Sequence, residues 1–181
     1  MGCAPHDRSA LHRQIAQRLK QPAKPPEPAP QDNPLSEWYA DLEFRHRKPL
    51  VLLLNAGTGA LLVLQGDAAG LRRLHEHALQ QFAAVCERVD LRGAGVDAEL
   101  HGFDAEFAFA ATRDRSLLGT LNQRKYEVPL MLEYDGSSLF DVALRDWTGG
   151  LFAHPALGKS PGLGGRWHRP LDLQRQRLPP P

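Results

Sequence analysis

The chain is short of isoleucine, lysine and cysteine, and it has no long apolar run. Ile15 is the only isoleucine, and five lysines stand against 17 arginines. With Ala, Leu and Gly also abundant, this reads mainly as composition bias, and secondarily as selection for the bidentate anion grip of arginine. Two cysteines, Cys3 and Cys86, fall in a terminal segment and in an expected helix. That pattern argues against a disulfide framework and fits a reducing cytoplasm. No apolar run approaches the ~18 residues of a membrane span, and the first twenty residues lack a signal-peptide core. Met1-Gly2-Cys3 is followed by His6 where N-myristoylation wants Ser or Thr. A formal net charge of +1 leaves any nucleic-acid partner to local patches.

Chemical signatures are equally sparse. The chain has no Cys/His set at zinc spacing, no HExxH, no GxSxG and no complete Walker or dinucleotide loop. No cofactor and no metal are expected. His75 and His77 are two apart, so on a helix they point to different sides and cannot share one ion. Asp104 and Glu106 lie on one face of an expected strand with no nucleophile at a fixed distance, so solvated edge charges are the simpler reading.

What is present fits one α/β domain of the α+β type: a small, mostly antiparallel sheet packed by two or more helices. Residues 1–34 form an N-terminal extension, 35–148 the globular domain and 149–181 an irregular Gly/Pro-rich tail. In the extension, Leu11, Ile15 and Leu19 make a narrow stripe on a helix over 9–20, a candidate site for a protein partner. Six prolines within 22–34 make an extended linker.

Ser36 and the Trp38/Leu42 spacing predict a helical turn over 35–42. Tyr39 then either stands at a rim with its hydroxyl outward or wedges with Trp38 between helix and sheet. Leu50–Leu54 and Ala60–Leu64 predict a hairpin turned at Gly57 and Gly59, and their unbroken apolar character implies helices on both faces. Asp67–Val89 is the best helix. Val96–Gly102 is a short strand or turn, and Ala105–Ala111 is a strand with Phe107 and Phe109 on one face.

Ser116 should cap a helix running to about Tyr126. Pro129 should break or kink it, with Leu130–Tyr134 a second helical piece or a strand. Gly119 inside that helix costs roughly 1 kcal/mol against alanine, which a close helix–sheet contact or an approaching ligand would offset. Leu139–Trp147 is amphipathic, with Leu139, Val142, Ala143 and Trp147 on one side. Beyond Gly149, Arg166, Trp167, His168 and Arg169 form a basic–aromatic cluster of the kind that stacks on nucleic acid, or a solvated tail.

The functional signal concentrates in Thr112-Arg113-Asp114-Arg115-Ser116-Leu117-Leu118-Gly119-Thr120-Leu121-Asn122. Arg113 and Arg115 precede a helix N-terminus, where free amides and the dipole favour anions. Ser116 would donate to the same group if it were free. Arg113, Arg115, Ser116, Asn122 and Tyr39 are therefore the candidate ligand-binding residues of a non-catalytic module for an anionic ligand, possibly nucleic acid. Two alternatives stand beside it. One is a small enzyme acting on a phosphate- or carboxylate-bearing substrate, with Arg115, Asn122, Tyr39 and Glu106 converging. The other is the protein-interaction component of a regulatory pair. Asn122 shares a side with Leu118, which should be at least partly buried, so its amide should be hydrogen-bonded to the sheet edge or the loop before 105–111, with a bound ligand as the alternative partner.

Together, Trp38-Tyr39, the hairpin, the long helix, the aromatic strand and the Arg-Ser-x-Leu-Gly-x-x-Asn motif resemble a bacterial family of small proteins known only as a domain of unknown function. The resemblance spans about Leu35 to Pro161. It implies an α/β domain and brings no activity. It also implies an opening strand, where this chain reads as helix and linker, and an acidic residue after Asn122, where this chain has Gln123.

Overall fold

A computed structural model describes residues 37–104, 114–149 and 169–177. The expected helix 9–20, the proline linker, the strand 105–111 with Glu106, Arg113, and Arg166, Trp167 and His168 lie outside the described residues. Three strands form one antiparallel sheet in the order β1-β2-β3: β1 Trp38–Arg45, β2 Lys48–Asn55 and β3 Leu61–Gln65. Helices follow in the order α1 Ala68–Arg72, α2 Leu74–Arg88, α3 Ala94–Asp104, α4 Arg115–Tyr134, α5 Leu139–Thr148 and α6 Pro170–Arg177. This is an α+β fold, as the apolar runs imply.

The expected helical turn at 35–42 is strand β1. A spacing of four also fits a period of two. Trp38 and Leu42 face one side of the sheet, and Tyr39 faces the other. β1 joins β2 through His46 and Arg47, both at positive φ (44° and 67°), the backbone of a tight two-residue hairpin whose twist matches its strands. Arg45 pairs with Lys48 and Trp38 with Asn55. The β2–β3 turn is held by the Asn55 side chain, whose Oδ1 accepts from the Gly57 and Thr58 amides and the Thr58 hydroxyl. Gly59 takes the positive φ, 72°.

Both faces of the sheet are dry. On one, Leu42, Val51, Leu53, Leu62 and Leu64 pack with Phe82 of α2, Phe103 of α3 and Trp147 of α5. On the other, Tyr39, Leu50, Leu52, Leu54, Leu61 and Val63 pack with Leu117, Leu121 and Val128 of α4. That double cover is why β2 and β3 carry no polar alternation.

Several elements differ from expectation. The long helix from Asp67 breaks at Arg73. Gly70 sits so close to the end of β3 that a Cβ there would collide with the Gln65 carbonyl. Residues 96–102 are helical because Val96, Glu99 and Phe103 bury one side of α3, and Glu99 accepts a 2.6 Å bond from the Trp38 indole. Helix α4 passes through Pro129 to Tyr134. An interior proline costs about 3 kcal/mol, but the next turn buries Met131 and Leu132, and Arg45 donates to the Leu132 carbonyl at 2.6 Å. Within the segment read as tail, α6 buries Leu171, Leu173 and Gln174. Its start lies against Gly149, where the Arg169 side chain fills the space a Cβ would need.

Helix α5 lies along the outer edge of β3, contributing Val142 to one core and Ala143 and Trp147 to the other. Its start carries a capping box between Ser138 and Asp141. The outward backbone groups of β3 are met by side chains. The Leu61 N–H goes to Asp146 at 3.2 Å and its carbonyl takes the Trp147 indole at 3.0 Å. Gln81 of α2 accepts from Val63 N at 2.8 Å and donates to Val63 O at 2.9 Å. An open edge is a template for further strands, and here it is occupied. Gln81→Leu should lose both bonds and leave two backbone groups unpaired, lowering stability by about 1–3 kcal/mol. Thermal unfolding should show the melting temperature fall by several degrees; an unchanged value would mean that Gln81 does not seal the edge.

Candidate functional site

Helix α4 is positioned by a polar ladder to β1. The Tyr39 hydroxyl accepts from the Asp114 amide at 3.1 Å. Asp41 takes Lys125 at 3.1 Å, Arg45 reaches Leu132 O, and His46 stands 3.5 Å from Glu133. Side chains of β1 and of the turn after it thus meet α4 at its start, its middle and its last turns, and the helix runs in the direction of β1.

The sequence placed Ser116 as the cap; Asp114 holds that position. Its Oδ1 accepts from Ser116 N at 2.7 Å, the Ser116 hydroxyl at 2.8 Å and Leu117 N at 3.4 Å. Those bonds, the Ser116 hydroxyl first, hold the Asp114 carboxyl below the usual range against a small opposing effect of burial. A carboxylate is the stronger acceptor and complements the helix dipole, so it displaces serine. The amides that would cradle an anion are therefore already engaged by the chain's own negative charge.

The five candidate residues separate. Arg113 lies outside the described residues. Tyr39 is buried beneath the start of α4, not at a rim, and its hydroxyl is used in holding that start. Ser116 is exposed and bonded to Asp114. Arg115 is exposed and has no ion-pair partner among the described residues. Asn122 is half-buried, and its amide makes no hydrogen bond among the described residues. The buried stripe of α4 is Leu117, Leu121, Arg124 and Val128, which turns Asn122 to the flank and not inward. Gly119 is exposed, and a Cβ there would meet nothing within 4 Å. No helix–sheet contact accounts for it.

The line that Arg115, Gly119 and Asn122 begin is continued by residues the sequence reading passed over. Tyr126 is 75% exposed, Leu130 39% and Tyr134 79%. They recur every four residues and, by helical geometry, share the outer side of α4 with Arg115, Gly119 and Asn122.

The inner side holds a buried charge cluster. Arg124 stands 2.7 Å from Glu127 and 2.8 Å from Asp146, with the Arg124 and Asp146 side chains 2% and 0% exposed. Burial pushes Asp146 up to about 6, with Arg124 opposing. Burial likewise pushes the Cys86 thiol up to about 12, helped by Glu99, so that sulfur stays protonated and unreactive. A raised carboxylate marks an active site only when it faces a cleft; Asp146 faces Arg124 and the Leu61 amide. Among the described residues, no group of three His, Cys, Asp or Glu is placed to hold a metal ion, and no helix is long and apolar enough to cross a membrane.

These features define a small α+β protein whose sheet is covered on both faces and whose distinctive exposed residues lie along one helix. Its sequence matches, over residues 12–155, the profile of the family described as Domain of unknown function (DUF6933), and the chain belongs to that family. The match begins inside the expected helix 9–20, well before Leu35. Searches of curated proteins and of solved structures returned no match.

Two outcomes follow from this geometry. Asp146 has its folded-state value above the ordinary 3.8, so its contribution to stability is full below about pH 4 and is lost as the pH rises through about 6. Relative to Asp146→Asn, wild-type stability should drop by on the order of 2–3 kcal/mol across that window. Chemical denaturation at a series of pH values reads the slope; parallel curves would show that Asp146 is not shifted. Gly119→Ala should stabilise the free chain by about 0.5–1 kcal/mol, seen as a higher melting temperature. A lower one would mean that something occupies that space.

Proposed function

We propose that the protein is a non-catalytic binding module that engages another protein chain through the outer face of α4. The observation that carries this is the line of exposed Tyr126, Leu130 and Tyr134, continuous with Arg115, Gly119 and Asn122. Of the four exposed large hydrophobic residues among those described, three fall on it. Single exposed apolar side chains are ordinary, whereas an aligned set marks a contact surface. Tyrosine and arginine are the side chains that protein interfaces favour, because they give large contact area together with polar ends. Gly119 fits the same reading: its cost to the helix has no return within the described residues, and a partner's side chain could enter the gap it leaves.

An anionic ligand such as nucleic acid is less well supported. Arg115 would carry it alone among the described residues, and Asp114 occupies the helix amides. An enzyme reading needs Tyr39 beside Arg115 and Asn122, but its hydroxyl is committed to Asp114 N beneath the helix. A cytoplasmic setting, with Cys86 buried as a free thiol, suits this proposal.

Site-specific photo-crosslinking tests it. A benzophenone side chain at position 126 should give protein adducts in cells that the same group at the exposed position 72 does not. Equal or absent adducts at both would sink the reading. A salt titration of labelled DNA and RNA runs alongside. Binding whose salt slope falls in an Arg113→Ala/Arg115→Ala variant would reassign the face to nucleic acid.

A further inference from the structure

We propose that the partner on this face is a second copy of the same chain, with the two α4 helices antiparallel about a two-fold axis that meets the outer side of α4 midway between Asn122 and Tyr126. The inference rests on the reading of α4 as a binding face and names its occupant. Three features of the helix point to self-complementarity.

The first is charge. Arg115 and Glu133 are both exposed, lie on the outer side, and stand at equal distances either side of Arg124. Antiparallel pairing sets each Arg115 against Glu133 of the partner subunit, twice by symmetry. Within one chain this placement runs against the helix field: no acidic residue lies in the first turn of α4 and no basic residue in the last, the reverse of what the dipole favours. Asp114 offsets part of this from the cap. Glu133 has His46 at 3.5 Å, a contact in which both side chains remain about half exposed or more. Arg115 has no ion-pair partner among the described residues, and the dimer supplies one.

The second is size. The same operation lays Leu130 opposite the Leu118–Gly119 step of the other helix. The missing side chain at Gly119 receives the leucine, and a crossing angle near 20° keeps the helices together along their whole length (about 20° being usual for antiparallel bundles). The third is polarity. Asn122 falls opposite Tyr126, giving the amide a hydroxyl-bearing aromatic partner that the described residues of one chain do not provide. A single 20-residue helix pair is at the small end of specific interfaces, so monomer and dimer should interconvert with concentration.

Sedimentation equilibrium of the full chain over a concentration series tests the proposal. The wild type should move from 20.1 kDa toward twice that mass. Arg115→Glu and Glu133→Arg should each weaken association by about tenfold or more, since each sets like charges together twice; the double variant should restore it. Both substitutions place charge where the helix dipole favours it, so loss of association cannot come from loss of the helix. Gly119→Leu, which fills the gap, should also abolish dimerisation. A single 20.1 kDa species at every concentration, or a dimer indifferent to these variants, would overturn the proposal. A monomer that still gives adducts with a different protein at position 126 removes the second copy as partner and leaves the binding face standing.

Discussion

Asp146 takes the Leu61 amide on one carboxylate oxygen and the Arg124 guanidinium on the other, with no exposure to solvent. Three elements therefore meet at one side chain: α5 carries it, β3 receives it at its edge, and α4 answers its charge from the opposite face of the sheet. The adjacent Trp147 indole N–H donates to the Leu61 carbonyl, so two consecutive residues of α5 engage both polar groups of one residue of β3. Buried ion pairs add little net stability after desolvation. Their effect here is on registry: a slide of α5 along β3 by one residue would leave a carboxylate, a guanidinium and two backbone groups without partners in a dry interior.

The sheet was legible in the sequence because burial on both faces leaves a plain signature. Leu50–Leu54 and Ala60–Leu64 have no polar side, and only a doubly covered strand tolerates that. The amphipathic helices α2 and α5 were legible for the same reason in reverse. The failures share a cause. Trp38 and Leu42 fit a helix and a strand equally, and tertiary cover decided for the strand. Val96–Gly102 and Pro170–Arg177 are short and weakly patterned, and their helicity comes from what they pack against.

The candidate site was half legible. The stretch from Thr112 to Asn122 stood out, but its parts were assigned by local rules that a neighbour overrode. Ser116 is a good cap until an aspartate two residues earlier starts the helix sooner and takes the Ser116 and Leu117 amides. Tyr39 looked amphipathic enough for a rim until the helix start came to rest on its hydroxyl. The break or kink expected at Pro129 had the largest effect, since it set Leu130 and Tyr134 apart from Tyr126 and hid the line they form. Proline does disfavour the helix, yet the grip of β1 on the last turn outweighs it. An exposed stripe can be recognised only once the length of its helix is known.

The sealing of β3 also has a consequence in time. The edge groups of Val63 are answered by Gln81, soon afterwards in the chain, but those of Leu61 by Asp146 and Trp147, some 85 residues later. During synthesis the hairpin can form long before α5 exists, and until then Leu61 offers an unpaired edge on an apolar strand. Contacts this distant in sequence form late, and unpaired edges recruit other chains. A nascent chain therefore carries that unpaired edge until α5 has emerged from the ribosome, and slower translation through the α3–α4 region would lengthen the interval.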